Sequence, residues 1–207
     1  MKLSLHALLV ELQELNRKQK TLMVGVDGFG GSGKSTLARK AEALGGEVTI
    51  VEMDDFFLPS VEREKNRKQN EIGDVDWRRV KEQVLMPLSK DQDGNYQRYD
   101  WDSDQLAEWH AVPTGGIVVV EGVYSTRNEL AGFYDYKIWV ESPRELRLQR
   151  GIERDGEEAR EWWEKEWMPE EERYARAQNP KASADLVIDG TGKSAAITEG
   201  EVIVKEE

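Results

Sequence analysis

The sequence predicts an α/β fold, a mostly parallel five-stranded sheet with helices on both faces, and three observations carry that prediction. Strand-like apolar runs recur at Leu22–Val26, Val48–Val51, Ile117–Val120, Tyr136–Val140 and Leu186–Ile188. Helix-period segments separate them, the alternation that gives a mostly parallel sheet. The first run leads directly into Gly-Phe-Gly-Gly-Ser-Gly-Lys-Ser-Thr at positions 28–36, and a helix-like stretch from Leu37 to Leu44 follows. Ligands of such sheets sit beyond the carboxyl ends of the strands, which here carry Asp27-Gly28, Asp54-Asp55, Glu121-Gly122, Glu141 and Asp189-Gly190.

At 207 residues the chain fits one domain. In residues 1–20, Leu5, Leu8, Leu9, Leu12 and Leu15 fall at helical spacing, so this segment reads as an amphipathic helix packed on a single domain spanning 21–207. A formal net charge of −12 argues against nucleic-acid and membrane partners, which need a basic face. Any polyphosphate must then be held by a local positive pocket. Cysteine is absent, which excludes disulfides, thiolate metal sites and a cysteine nucleophile. His6 and His110 lack partners at metal-ligand spacing. With no signal-like segment and no long apolar run, the cytoplasm is the expected compartment. No surface marks an interface, and a homo-oligomer stays open.

The glycine-rich segment has the composition of a phosphate-binding loop. Gly28, Gly30, Gly31 and Gly33, with Ser32 among them, permit backbone conformations in which successive N–H groups cradle phosphate oxygens at a helix N-terminus. Lys34 is placed to reach the β- and γ-phosphates and the Ser35 hydroxyl to ligate Mg²⁺. The strand ending in Glu121 supplies the acidic residue expected near that metal. Asp54, after the second strand-like run, lies across the strand ends from the loop, where a carboxylate can accept a proton from an attacking hydroxyl; the plainer alternative is that Asp54-Asp55 caps a turn.

Further along, Val61 to Asn70 reads as a charged loop, with a substrate flap as the functional alternative. The segment from Gly73 to Arg79 starts a helix and could present Asp76 or Arg79 to an acceptor. Tyr96-Gln97-Arg98-Tyr99-Asp100-Trp101 offers aromatic faces, and Arg98 and Asp100 offer paired hydrogen bonds; it is either a substrate pocket or a hairpin packed on the core. Ser142-Pro143-Arg144-Glu145 is a helix start with Ser142 as N-cap. On that helix Arg144, Arg147, Arg150 and Arg154 recur at three- and four-residue spacing. They form either a guanidinium stripe for a transferring phosphoryl group or a solvated face. Gly151 and Gly156 would let the segment bend as a lid. Trp162, Trp163 and Trp167 read as packing residues.

Together these residues resemble the uridine kinase and phosphoribulokinase group of P-loop kinases, which includes nicotinamide riboside and pantothenate kinases. The match runs from about Thr21 to Gly190. Its marks are Val26-Asp27-Gly28 through Thr36, Asp54-Asp55-Phe56-Phe57, Val120-Glu121-Gly122-Val123-Tyr124, the segment from Arg147 to Asp155, and Ala184 to Gly190. The resemblance implies a nucleoside-kinase-like P-loop NTPase fold with an Arg-bearing lid. It implies an ATP- and Mg²⁺-dependent kinase acting on a hydroxyl of a small metabolite, with a nucleoside as the first expectation. It also implies that Thr36 serves an inner phosphate, that Asp54 is the general base, that Arg150 and Arg154 contact phosphate, with Arg147 a weaker match, and that Gly190 to Lys193 flanks the base. Tyr124 falls in the Glu-Gly motif near metal and substrate.

The chain departs from uridine kinases at Asp27, where they carry a small or polar residue, and at the segment Tyr96 to Trp101. Pantothenate, nicotinamide riboside, glycerate, a sugar or a sugar phosphate therefore remain alternative acceptors. A sugar phosphate would call on Arg78, Arg79 and Arg98. A nucleotide-dependent switch is a further alternative, but no Asn-Lys-x-Asp segment occurs and the Asp-x-x-Gly match at Asp91 to Gly94 sits in a polar turn.

Overall fold

Strands that are apolar at every position must be covered on both faces, and the central strands of this protein are. The computed structural model describes residues 2–15, 17–44, 46–192 and 201–205. In chain order the strands are β1 (Lys2–Ser4), β2 (Leu22–Asp27), β3 (Val48–Glu52), β4 (Gly94–Asp100), β5 (Gln105–Val112), β6 (Ile117–Glu121), β7 (Tyr136–Glu141), β8 (Leu186–Asp189) and β9 (Glu201–Ile203). Five of them form one parallel sheet in the order β3-β6-β2-β7-β8. These are the five runs the sequence marks.

The period-two alternation of a strand sorts the core into two clusters. Leu22, Val24, Val26, Ile117, Val119, Ile138 and Val140 pack with the helices Leu5–Gln13 and Lys34–Ala43. Met23, Val118, Val120 and Val51 pack instead with Val80, Val84, Leu85, Leu88, Leu130 and Tyr174. Gly25, in the middle of β2, is a packing requirement: a Cβ there would stand 2.7 Å from the Thr126 methyl and 3.2 Å from the Tyr134 ring. β4 and β5 form a separate antiparallel hairpin with an irregularity between Gln97 and Tyr99.

Three expectations are corrected. The first residues are not one long helix: Lys2–Ser4 is a strand that pairs antiparallel with Glu201–Ile203, and the helix Leu5–Gln13 begins where the Ser4 hydroxyl accepts from the Ala7 N–H. Leu5, Leu8, Leu9 and Leu12 are buried, whereas Leu15 lies past the helix end and is 39% exposed. The charged segment after Pro59 is a helix, Ser60–Lys68, without a single buried residue. Its Glu, Arg and Lys content favours helix, and the missing apolar stripe hid it. Ser142 does not cap the helix Arg144–Asp155; its buried hydroxyl donates to the Ser32 carbonyl oxygen at 3.1 Å, tying that helix to the loop after β2.

Beside β8, Val204 bridges Ile188, the Lys205 N–H donates to the Val187 carbonyl, and the Lys205 ammonium pairs with Glu141 at 2.9 Å. Among the described residues no helix is long and apolar enough to cross a membrane. Replacing Gly25 by Val should overpack the sheet face and lower the unfolding free energy by about 2 kcal/mol, read as a reduced urea midpoint at unchanged m-value.

Candidate active site

The loop between β2 and the helix Lys34–Ala43 takes a shape that side chains would prevent. Gly31 and Gly33 lie at φ +71° and +106°, and a Cβ on Gly31 would stand 2.6 Å from the Arg147 carbonyl oxygen. Gly33 starts the helix without a side-chain cap. The first helical N–H groups, those of Lys34, Ser35 and Thr36, are thereby left without helical acceptors, the arrangement that receives phosphate. The Ser32 hydroxyl in the same loop is buried with no hydrogen-bond partner among the described residues.

Lys34 folds back over the loop and donates to the Phe29 carbonyl oxygen at 3.0 Å. Its charge acts on two carboxylates, Glu121 and Glu171. Glu121 ends β6, is buried, and lies close enough to the Ser35 hydroxyl for it to favour the ionised carboxylate. Burial pushes its carboxyl up, and Lys34 and Ser35 oppose that rise. Glu52, its register neighbour on β3, is raised by burial and then by the nearby charges of Asp55 and Asp54. Asp54 lies in the tight turn Met53–Phe56 directly after β3, with its side chain exposed.

One cleft of about 1150 Å³ brings these groups together: Gly30, Gly31, Gly33, Lys34, Ser35 and Thr36 of the loop, with Asp54, Glu121, Tyr124, Arg150 and Arg154. Gly28 and Ser32 lie behind its surface, both buried. Tyr124 holds a left-handed backbone, φ +73°, which a tyrosine adopts only under constraint. Its ring is buried against Tyr174 at 4.9 Å. Asp189, Gly190 and Gly192 reach the cleft as well, while Lys193 lies outside the described residues.

The four lid arginines separate. Arg150 donates to three carbonyl oxygens, of Gly31, Gly190 and Thr191, at 3.1, 2.9 and 2.8 Å. Arg154 pairs with Asp155 at 2.6 Å and lies over the Trp163 ring. Arg147 is buried beneath the loop, 4.4 Å over the Phe29 ring and 3.4 Å from Glu171, so it braces the loop rather than lining the cleft. Arg144 pairs with Glu172 at 3.5 Å outside the cleft wall. Trp163 is buried where a Cβ on Gly30 or Gly151 would meet its ring, Trp167 lines the cleft, and Trp162 is 55% exposed.

Tyr96, Arg98 and Asp100 lie on β4 and are absent from the cleft wall, which corrects the expectation for that segment. The Tyr96 hydroxyl donates to Asp55 at 2.7 Å and its ring packs on Phe56. Arg98 is taken by Glu108 of β5 at 2.6 Å and by Asp100, and Asp100 accepts from Ser103. Asp76 and Arg79 likewise pair with one another, and Arg79 donates to the Gln97 carbonyl. Trp101, one residue past β4, does reach the cleft: it is 51% exposed with its ring 4.5 Å from Phe57.

Sequence reasoning missed the groups that hold the loop from beneath. Asp27 is fully buried and accepts from the Gly28 N–H, the Thr126 N–H and hydroxyl, and the Tyr174 hydroxyl. Burial raises its carboxyl and these hydrogen bonds oppose the rise. Glu171, on the helix Met168–Gln178, accepts from the Gly30 N–H at 3.0 and 3.1 Å and pairs with Arg147. No motif signals it; one carboxylate in an acidic helix looks like its neighbours. Glu52 had a signal, its place at the carboxyl end of a strand.

A sequence model of the Phosphoribulokinase / Uridine kinase family matches residues 23–189. A uridine kinase of Borrelia duttonii is 26% identical over 138 residues, a match covering 64% of this chain and 66% of that protein, just under two thirds of its length. Among solved structures, a possible uridine kinase from Bacillus stearothermophilus aligns with a TM-score of 0.64 at 21% identity, covering 88% of this chain and 96% of that one. A D-glycerate 3-kinase from Cryptococcus neoformans aligns with a TM-score of 0.63 at 14% identity, covering 93% and 95%. These two likenesses show the fold.

The Glu171 carboxyl is pushed up to about 7, first by burial, with Lys34, Arg147 and the Gly30 N–H opposing. Between the ordinary value of 4.5 and about 7 the folded protein therefore binds this proton more readily than the unfolded chain, so this group's contribution to stability falls as pH rises through that window. Glu171→Gln removes that dependence. The stability of the unmodified protein relative to the variant, from chemical denaturation at several pH values, should decline across the window and level off above it.

Proposed function

The chain belongs to the Phosphoribulokinase / Uridine kinase family, whose members are ATP-dependent kinases, and on that premise we propose that it transfers the γ-phosphoryl group of ATP to a hydroxyl of a small metabolite, a nucleoside first. The observation that carries this is the placement of Asp54 in the same cleft as Lys34 and Ser35 of the loop and Glu121 at the end of β6. A switch protein that hydrolyses its nucleotide has no acceptor hydroxyl to deprotonate. A kinase does.

Asp54 accepts the proton of the attacking hydroxyl as its oxygen bonds to the γ-phosphorus and the bond from phosphorus to the ADP oxygen breaks. The helix N-terminus and Lys34 hold the donor phosphates in line, and Arg150 and Arg154 offset charge on the transferring group. Arg150 is already fixed to loop and strand-end carbonyls, which keeps its guanidinium beside the loop. Thr36, on the first helical turn, serves an inner phosphate.

The donor set fits Mg²⁺. The Ser35 hydroxyl and Glu121 carboxylate are hard oxygen donors lining the same cleft, and Mg²⁺ characteristically takes one or two carboxylates with substrate phosphates and water. The ion, when bound, neutralises phosphate charge. Nucleoside as the first acceptor class rests on the aromatic rings of Phe57 and Trp101, tilted 41° to one another in the cleft that holds Asp54, an apolar surface for a base, and on the uridine kinase relative.

A coupled ADP-release assay across nucleosides, vitamins and sugars tests the reading directly. Asp54→Asn should lower kcat roughly 10²–10⁴-fold while ATP affinity, measured by calorimetry, stays close to that of the unmodified protein. Equal loss of turnover and ATP binding would remove Asp54 from the role of base.

A further inference from the structure

The positive charges of the cleft are distributed unequally. At the loop, Lys34 and Arg150 donate to backbone carbonyl oxygens, of Phe29, Gly31, Gly190 and Thr191, and among the described residues neither forms a direct ion pair, Glu121 and Glu171 feeling Lys34 only through its field. On the side of Asp54 the arrangement is reversed. The segment Asp74–Asp76 runs alongside the turn that carries Asp54: the Leu58 N–H donates to the Asp74 carbonyl, the Asp76 N–H to the Phe56 carbonyl, and Phe57 bridges Val75. Gly73, at the head of that segment, donates its N–H to Glu170 at 2.7 Å and lies against the Tyr124 ring.

Two arginines reach this wall, and each is paired with carboxylate. Arg67 pairs with Asp74 at 2.8 Å and stands 3.9 Å from Glu166. Arg173 is held by both oxygens of Glu170, at 2.8 and 2.7 Å, with the Asn70 side chain and the Glu71 carbonyl taking its remaining donors. Lys165 and Arg176, which also line the cleft, are paired with Glu161 and Glu172. Of the other arginines between positions 39 and 98, Arg39 lines the cleft and stands 4.0 Å from Glu52, while Arg63, Arg78, Arg79 and Arg98 are absent from its wall and paired with Asp104, Glu71, Asp76 and Glu108. With Glu71, Glu166 and Asp54 also on the surface, the acceptor side carries an excess of negative charge.

An alcohol bearing a phosphate or carboxylate would meet that excess with no unpaired guanidinium among the described residues on that side to receive it, and stripping Arg67 or Arg173 of its partner would leave an unpaired carboxylate behind. We infer that the acceptor carries no phosphate or carboxylate group, and that Asp74 and Glu170 are specificity-determining residues that enforce this by occupying Arg67 and Arg173. The exposed Trp101 face on Phe57 supplies the contact such an acceptor can make.

This inference rests on the kinase reading, and steady-state ADP release distinguishes the two. The probes are uridine and D-fructose as uncharged alcohols, D-glycerate as a carboxylate and D-ribulose 5-phosphate as a phosphate. The better uncharged alcohol should exceed both anionic ones in kcat/KM by about 100-fold or more. An anionic alcohol within about tenfold of it overturns the inference and leaves the kinase reading standing. ATP binding without turnover of any alcohol removes both. Asp74→Asn and Glu170→Gln, made separately, should each free a guanidinium and lower the ratio of uncharged to anionic kcat/KM by about tenfold, through KM of the anionic alcohol rather than kcat. A purely structural role would lower both kcat/KM values together, and an unchanged ratio in both variants overturns the assignment of these residues.

Discussion

The Asp27 carboxylate is the constraint on which the site depends. A buried carboxylate without partners costs several kcal/mol or more. This one is fully enclosed and accepts four hydrogen bonds, drawn from the start of the loop, from Thr126 beyond β6 and from Tyr174 on the helix Met168–Gln178. Three segments far apart in sequence must converge to satisfy it, and their convergence fixes the end of β2 from which the loop departs. Glu171 repeats the device two residues further on, at the Gly30 N–H, with Arg147 as counter-charge. The loop is thus suspended from two buried carboxylates on its underside, and its shape is set by the protein around it. Preorganisation of this kind lets backbone dipoles stabilise phosphate without first having to reorient.

How far the sequence could be read follows from how local each signal is. The loop was legible because its glycines, lysine and serine are contiguous and their conformational demands are short-range. The five strands of the parallel sheet were legible because each carries a mostly apolar run, and β2 and β6, buried along their whole length, most plainly so; Asp54 and Glu121 were legible because carboxylates at strand ends are placed by the sheet itself. Arg98 was misread because its partner Glu108 stands ten residues away across the hairpin, a pairing visible only once the β4–β5 register is known. Glu171 was missed for the same reason on a larger scale: it lies 141 residues from the glycine it holds.

The lid helix shows the limit of a periodicity argument. Spacing of three and four puts arginines near one face, yet a lid touches different surroundings along its length. Arg147 lies against Phe29 and Glu171, Arg150 meets carbonyls from both the loop and the end of β8, and Arg154 pairs with its neighbour Asp155 over the Trp163 ring. Four identical side chains therefore do three different things.

The strip formed by Val204 and Lys205 has a consequence apart from catalysis. β8 is the outermost strand of the parallel sheet, and a bare outermost strand is a template on which another chain can add. Here the Ile188 bridge, the bond to the Val187 carbonyl and the Lys205–Glu141 pair cover that border with the molecule's own backbone and a charged side chain. Proteolytic nicking just before this strip would leave the cleft's lining residues on β3, β6 and β7, Glu52, Glu121 and Val140, intact and yet uncover a sticky rim. Damage there would first appear as turbidity and filament growth in concentrated solution.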